Sequence, residues 1–460
     1  MTTLRDKSVL ILGLGETGLS LARYLHAQGA RLRVADSRTS PPGVDILRSE
    51  MPQAELRCGV FDDALLQGID RIAISPGVPM FEPFVQRAVA RGIPVEGDIE
   101  LLAQQIANAQ PTPKVIAITG ANGKTTTTSM VGAMCAAAGV DAQVAGNISP
   151  AVLDALRERG GHQPQAWVLE LSSFQLETTH TLDADAAVVL NVSEDHLDRY
   201  ANNMNLYAAA KTRIFNGNGV QVLNRDDARS AAMGLSGRKQ VTFGLTPPSS
   251  ELDWGIGKEG AITWLMQGAQ KVMRADELQV AGLHNVANAL AALALCRALD
   301  LPLPPLVAAL RAFKGLPHRV EKVAEVNGIT YYDDSKGTNV GATEAALNGL
   351  GKQAVVILGG DGKGQDFSPL KEAVKKHARA VVLIGRDAPL IANAIAACGK
   401  PVLNARDMDE AVHIATANAQ RGDAVLMSPA CASFDMYRNY LHRAEAFIAA
   451  VRKLQAEATC

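Results

Sequence analysis

The sequence predicts an α/β protein of three domains, each built around a parallel, doubly wound sheet. Three times a short β-branched or leucine-rich run ends in a glycine-rich loop that leads into a helical segment: Val9-Leu10-Ile11-Leu12, Val115-Ile116-Ala117-Ile118 and Val355-Val356-Ile357-Leu358. Continuous apolar runs of this length suit strands buried on both faces, and their alternation with amphipathic helical stretches suits parallel sheets. The length agrees, since 460 residues at about 150 per domain make three.

Composition narrows the function before any motif is considered. With 45 Lys plus Arg against 47 Asp plus Glu the net charge is −2, and aromatics are only 4 %, so neither a broad nucleic-acid-binding face nor a base-stacking platform is expected. The six cysteines (Cys58, Cys135, Cys296, Cys398, Cys431, Cys460) show no CxxC pair or metal-ligand spacing and read as reduced, mostly buried thiols of a cytoplasmic protein. No apolar run reaches the roughly 18 residues of a membrane span, and Val9 to Leu12 runs straight into Gly13 with no cleavage site. No export and no membrane insertion are expected.

The first glycine loop, Gly13-Leu-Gly15-Glu16-Thr17-Gly18, follows a strand, opens a helix, and has Asp36 at the end of the next strand, Arg31 to Ala35. That is Rossmann spacing: the glycines allow a tight turn and the helix N-terminus offers free N–H groups to a diphosphate. A nicotinamide dinucleotide, another nucleotide diphosphate and a purely structural turn all satisfy it. Pro111-Thr-Pro113 cannot continue a helix, which places a linker near residue 109.

Thr119-Gly120-Ala121-Asn122-Gly123-Lys124-Thr125-Thr126 carries the Gly-Lys-Thr core of a phosphate-binding loop, with Ile118 where the usual motif has its first glycine. Backbone N–H groups wrap phosphates there, the lysine offsets charge on the terminal phosphoryl groups, and the threonine hydroxyl suits Mg²⁺. ATP is the expected ligand. Glu170 ends the apolar strand that begins near Trp167, where a second magnesium-directed group of such enzymes sits. Asn191-Val-Ser-Glu-Asp195-His196-Leu-Asp198 follows the strand Ala186 to Leu190, at the end of a strand where ligands collect; alone it also reads as a surface turn. Gly315-Leu-Pro317 closes an Ala/Leu-rich helical region (Asn285 to Leu299, then Leu306 to Phe313) and precedes a strand at Ile329 to Tyr332. The domains are therefore expected at 1–108, 109–315 and 316–460.

With TGANGKTT, ELSSFQLE, NVSEDHLDRY, GLHNVANALAA, GLPHR, DDSKGTN and SPACASFD in one order, the chain resembles the Mur ligases of peptidoglycan synthesis over nearly its whole length, most of all the branch that adds D-glutamate. The resemblance implies a Rossmann-like N-terminal domain that binds the UDP substrate, a central P-loop ATPase-like domain and a Rossmann-like C-terminal domain. It implies a monomer that uses ATP, two Mg²⁺ sites, UDP-N-acetylmuramoyl-L-alanine and D-glutamate, through an acyl phosphate.

By the same resemblance, Gly120, Asn122, Gly123, Lys124, Thr125 and Thr126 hold the ATP phosphates. Asn288 lies on the adenine side, Arg319 reaches a phosphate from the third domain, and Asp334 meets the ribose. Thr125 and Glu170 are implied as ligands of one Mg²⁺, and His196 with Lys211 as ligands of the other. Lys124, Glu170, His196 and Lys211 form the implied catalytic set. Lys211 is carbamylated in this family; an ammonium cannot ligate a cation, whereas CO₂ added to the neutral amine makes a carboxylate that can.

Gly15, Glu16, Thr17, Ser37, Arg38, Ser75, Gly77 and Asn147 are implied in UDP-substrate binding, which rereads the first glycine loop as a UDP site. Lys336, Thr338, Lys363, Ser433 and Phe434 are implied for D-glutamate, whose two carboxylates call for cations and hydroxyls. Ser149, Tyr440 and Ala444 stand where the family has glycine, often phenylalanine, and glycine. An oxidoreductase would leave Lys124, Lys211 and the third domain idle. Another Mur ligase or a folylpolyglutamate synthase is disfavoured by the Rossmann-like first domain and by SPACASFD.

Overall fold

The computed structural model describes residues 4–457, so Cys460 lies outside the described residues. Cys58 is exposed, and Cys135, Cys296, Cys398 and Cys431 are buried free thiols. Three sheets carry the chain. The first is five-stranded and all parallel, in the order Glu55–Cys58, Arg31–Asp36, Ser8–Leu12, Arg71–Ile74, Val95–Glu96. The order reverses beside Ser8–Leu12, so a crevice opens at the carboxyl ends of that strand and Arg71–Ile74, where the first glycine loop lies.

The second sheet has nine strands. Its parallel part runs Gln240–Phe243, Val220–Asn224, Ala186–Val189, Lys114–Thr119, Ala166–Glu170, Ala142–Gly146. Lys114–Thr119 sits between the strands that end at Glu170 and Val189, so the phosphate loop, Glu170 and the segment leading to His196 emerge together. Trp254–Glu259, Ile262–Gln267 and Gln270–Arg274 extend this sheet as an antiparallel meander. The six-stranded third sheet is parallel apart from Glu321–Val326, which pairs antiparallel with Ile329–Asp333.

These antiparallel pieces are additions to the expected parallel sheets. Asn327-Gly328, both at positive φ (53° and 77°), is the pair of residues that a tight hairpin turn demands, and it lies just before the expected strand at Ile329. In the meander, Gly260 and Gly268 at positive φ make the turns. The expected strands otherwise recur within a residue or two, and the Ala/Leu-rich region forms the helices Leu283–Ala298 and Leu303–Ala312.

One apolar core is continuous from the first sheet's helices into the second sheet, and the helix Asp98–Ala107 anchors it. Its two buried acids are held differently. Glu100 accepts hydrogen bonds from the His180 and Thr181 N–H groups (2.7 and 2.9 Å), the Thr181 hydroxyl (2.8 Å) and the Gln104 amide (3.2 Å); burial works upward, and these donors hold its pKa below the usual value. Asp98 Oδ2 accepts only a long 3.3 Å side-chain bond, from Gln175, and Oδ1 has no partner, so burial pushes its pKa up to about 6.

A stability consequence follows from the sign of that shift. Between the unfolded value of 3.8 and about 6 the native state binds the extra proton, so Asp98's contribution falls as pH rises through that window and stays low above it. Asp98→Asn is expected to raise stability at pH 8 by up to about 3 kcal/mol, with the gain vanishing below about pH 4. Denaturant unfolding of both proteins at pH 4, 6 and 8 checks this; a pH-independent difference contradicts it.

Candidate functional site

The first crevice holds a cavity of about 560 Å³ lined by Gly15, Glu16, Thr17, Ser37, Arg38, Ser75, Gly77 and Asn147, all eight of the residues expected for the UDP substrate. Close backbone packing shapes it. A Cβ on Gly18 would lie 2.0 Å from the Gly13 carbonyl oxygen, so the turn admits only glycine there. Leu14 N–H donates to Asp36 Oδ2 (2.7 Å), and Arg38 forks onto the same carboxylate (2.9 and 2.7 Å). Against burial, these bonds hold Asp36 below the usual carboxylate range.

Glu16, an awkward neighbour for an anionic ligand, is engaged within the crevice wall. Its carboxylate accepts the Ser149 hydroxyl at 2.8 Å, so the serine that departs from the family pattern bridges the first and second sheets' loops. Arg199, between His196 and Tyr200, secures the other wall: its guanidinium donates to the carbonyls of Pro76 (3.0 Å) and Val78 (3.1 Å) and lies 4.3 Å from the Phe174 ring centroid.

A central cavity of about 800 Å³ begins where the first ends, sharing Asn147, Ile148 and Ser149 with it. Lys124, Thr125, Glu170, Asp195, His196, Arg319, Lys336, Thr338 and Tyr440 line it. The helix Lys124–Ala137 opens from Gly123 at φ 82°, and a Cβ there would come 2.4 Å from Asn288 Oδ1. Phosphate loop and expected adenine-side residue are thus in close contact. Lys124 Nζ donates to the carbonyls of Gly120 (2.9 Å) and Ala121 (3.0 Å), and Arg319 crosses from the third domain to donate to Thr125 Oγ1 (2.7 Å).

Glu170 is buried at the strand end. Oε1 accepts from Asn147 Nδ2 (2.9 Å), while Oε2 has no partner. A buried, half-satisfied carboxylate beside a threonine hydroxyl on the phosphate loop is a donor set that fits a hard divalent cation. Lys211 is buried beneath this loop, donating to the Gly120 carbonyl (2.9 Å) and lying 4.5 Å from the Tyr207 ring centroid. Burial, reinforced by Lys124, pushes its pKa well below the ordinary lysine value against Asp195 and Glu170. His196 stands in the cavity wall at φ 53°, 3.6 Å from Asp195, with its side chain 45 % exposed; partial desolvation of the ring among the surrounding walls outweighs Asp195, and Lys363 and Lys124 add to it, so its pKa is lowered.

Two smaller cavities adjoin. One of about 150 Å³ joins Asn122, Gly123, Thr126, Asn288, Arg319 and Asp334 of the expected ATP residues, and adds His284 from the GLHNVANALAA segment and Asn224 and Phe243, which no motif contains. Asp334 accepts from the Ser428 hydroxyl (2.6 Å), and its burial pushes its pKa up to about 7. The other, about 230 Å³, places Lys363 and Thr338 opposite Asp195 and His196. Lys336 Nζ rests 3.9 Å from the Tyr440 ring centroid, a cation–π contact that the Tyr440 departure preserves.

Ser433 and Phe434 stand apart from these cavities' linings: Ser433 is buried with its carbonyl accepting from Tyr437 N–H (2.8 Å), and Phe434 is 71 % exposed. Ala444, the third departure from the family pattern, is fully buried in the final helix. Asp195, named in the sequence only as part of the polar cluster around His196 and given no role there, lines both the central cavity and the pocket holding Lys363.

Comparison with known proteins agrees along the whole chain. Residues 7–97 match the Mur ligase MurD-like N-terminal domain, residues 118–296 the Mur ligase middle domain, and residues 318–431 the Mur ligase glutamate ligase domain. The chain is 60 % identical to a UDP-N-acetylmuramoylalanine–D-glutamate ligase of Nitrosospira multiformis, over 98 % of this chain and 97 % of that one. It is 57 % identical to the protein of the same name in Nitrosomonas europaea, with the same coverage. In fold it resembles the MurF ligase of Thermotoga maritima solved with ADP, at TM-score 0.61 and 17 % identity over 99 % of this chain and 96 % of that one.

Proposed function

The chain belongs to the Mur ligase family, and from its place beside the D-glutamate-adding members we infer that it joins D-glutamate to UDP-N-acetylmuramoyl-L-alanine in peptidoglycan synthesis, converting ATP to ADP and phosphate. The observation that carries the assignment of roles is the continuity of the cavities. The UDP-substrate crevice, the nucleotide pocket and the pocket holding Lys363 and Thr338 each share lining residues with the central cavity that holds Lys124 and Glu170. The residue roles and the domain limits 1–108, 109–315 and 316–460 belong to this proposal. Use of ATP supports the cytoplasm as its compartment.

The L-alanyl carboxylate, entering past Asn147, attacks the γ-phosphorus of ATP, and ADP leaves. The Lys124 ammonium offsets charge on the transferring phosphoryl group and Arg319 supplies a second cation from the third domain. The D-glutamate amine then attacks the acyl carbon, expels phosphate and loses a proton. Lys336, Thr338 and Lys363 hold its carboxylates. Closure of the third domain over the acyl phosphate keeps water out.

Thr125 and Glu170 fit one Mg²⁺, and His196 with a carbamylated Lys211 a second. Bound there, Mg²⁺ would spread negative charge from the phosphoryl oxygens. The depressed pKa of Lys211 supports its modification, because only the neutral amine attacks CO₂.

Phosphate release tests the reading. With ATP and Mg²⁺, release is expected only when UDP-N-acetylmuramoyl-L-alanine and D-glutamate are both present. L-glutamate or L-alanine in place of D-glutamate should give none. Release with UDP-N-acetylmuramate and L-alanine would move the step within the family.

A further inference from the structure

Asn122 in the phosphate loop and Asn339 in the third domain, 217 residues apart, form a reciprocal amide pair. Asn122 Nδ2 donates to Asn339 Oδ1 (3.2 Å), and Asn339 Nδ2 donates to Asn122 Oδ1 (3.1 Å). Asn339 also caps the helix Val340–Gly349, its Oδ1 accepting from Ala342 N–H (2.8 Å), and that bond fixes which end of its amide is oxygen. A cap needs only this one acceptor, and serine, threonine or aspartate supplies it as well. The second bond, from Asn339 Nδ2, is surplus to capping, and only an amide side chain both donates and accepts in this way.

The surroundings are built to bring the pair together. A Cβ on Gly341 would lie 2.9 Å from Ser193 Oγ and 3.1 Å from Asn122 Nδ2, so glycine there lets the helix start approach the phosphate loop. Asn122 is fixed from its own side by Asn191, whose Oδ1 accepts the Asn122 N–H (2.8 Å) and whose Nδ2 donates to the Asn122 carbonyl (3.0 Å). Asn339 is buried and follows Thr338 directly, and Val340 N–H donates to Gln365 in the loop that carries Lys363 (3.0 Å).

We propose that Asn339 is a positioning residue which, through its amide pair with Asn122, ties the D-glutamate-binding loops to the ATP phosphate loop and so strengthens binding of the two substrates that span the second and third domains. The proposal rests on the substrate assignment above. The UDP substrate lies between the first and second domains and gains nothing from the pair.

Asn339→Ser keeps the cap and removes the amide. It is expected to raise the KM for both ATP and D-glutamate about tenfold, the size of two modest hydrogen bonds, while the KM for UDP-N-acetylmuramoyl-L-alanine and the thermal midpoint stay at wild-type values. Asn122→Ser should do the same from the other side, and the double variant should be no worse than either single one. Should Asn339→Ser fail to fold, Asn339→Asp, which keeps the capping acceptor and loses the Nδ2 donor, decides in its place. Unchanged KM values, a rise in all three, or additive effects in the double variant overturn the proposal. Wild-type enzyme assayed alongside separates the two failures: loss of its D-glutamate dependence sinks the substrate assignment, and normal wild-type behaviour with an indifferent Asn339→Ser sinks only the amide pair.

Discussion

Replacement of Lys124 by alanine is expected to lower kcat by about 10²–10³, with little change in affinity for the UDP substrate. Losing one preorganised charge-stabilising group from a transition state costs on the order of 10²–10³, and Lys124 is the phosphate loop's own cation, at the centre of the cavity. It does not line the crevice assigned to the UDP moiety, so ground-state binding there is spared. Initial rates give kcat, and isothermal titration with UDP-N-acetylmuramoyl-L-alanine gives the affinity. A variant that turns over normally contradicts the role of Lys124, and a parallel collapse of UDP-substrate affinity points to damage to the fold.

Lys211→Ala is expected to lose about 10²–10³ in rate and, unlike Lys124→Ala, to recover in part when a short carboxylate such as acetate is supplied. The difference follows from chemistry. Lys211 is buried under the phosphate loop with its pKa depressed, which favours the neutral amine that CO₂ requires; on the proposed carbamylation, the carboxylate so formed is what the alanine variant would lack. Deprotonation is complete well below the ordinary lysine value and is lost only as pH falls through the depressed one. Wild-type activity should therefore depend on bicarbonate, and bicarbonate should fail progressively in acid. An unmodified intact mass together with indifference to bicarbonate and to acetate overturns this reading.

The expected strands and the phosphate loop were legible where the pattern is local in the chain. A phosphate loop works through consecutive backbone N–H groups, so Gly120 to Thr126 announce it in order, and the apolar run before them announces its strand. The hairpin at Asn327-Gly328 was legible too, but the apolar run after it was read alone. Asn224 and Phe243 gave no such signal, because they enter the nucleotide pocket from the ends of separate strands and look like ordinary strand residues in sequence.

By itself the sequence determined three α/β units, their glycine loops, the family and hence the reaction, since each rests on residues contiguous in the chain or on motifs kept in order. Only the tertiary structure decided how charges and amides are shared between units. Ser149 occupies the Glu16 carboxylate 133 residues away, Arg319 reaches Thr125 across 194, and Asn122 meets Asn339 across 217. The physical reason is that a hydrogen bond depends on a few tenths of an ångström between side chains. Distances of that kind are set by how the folded sheets pack together, and no spacing along the chain encodes them.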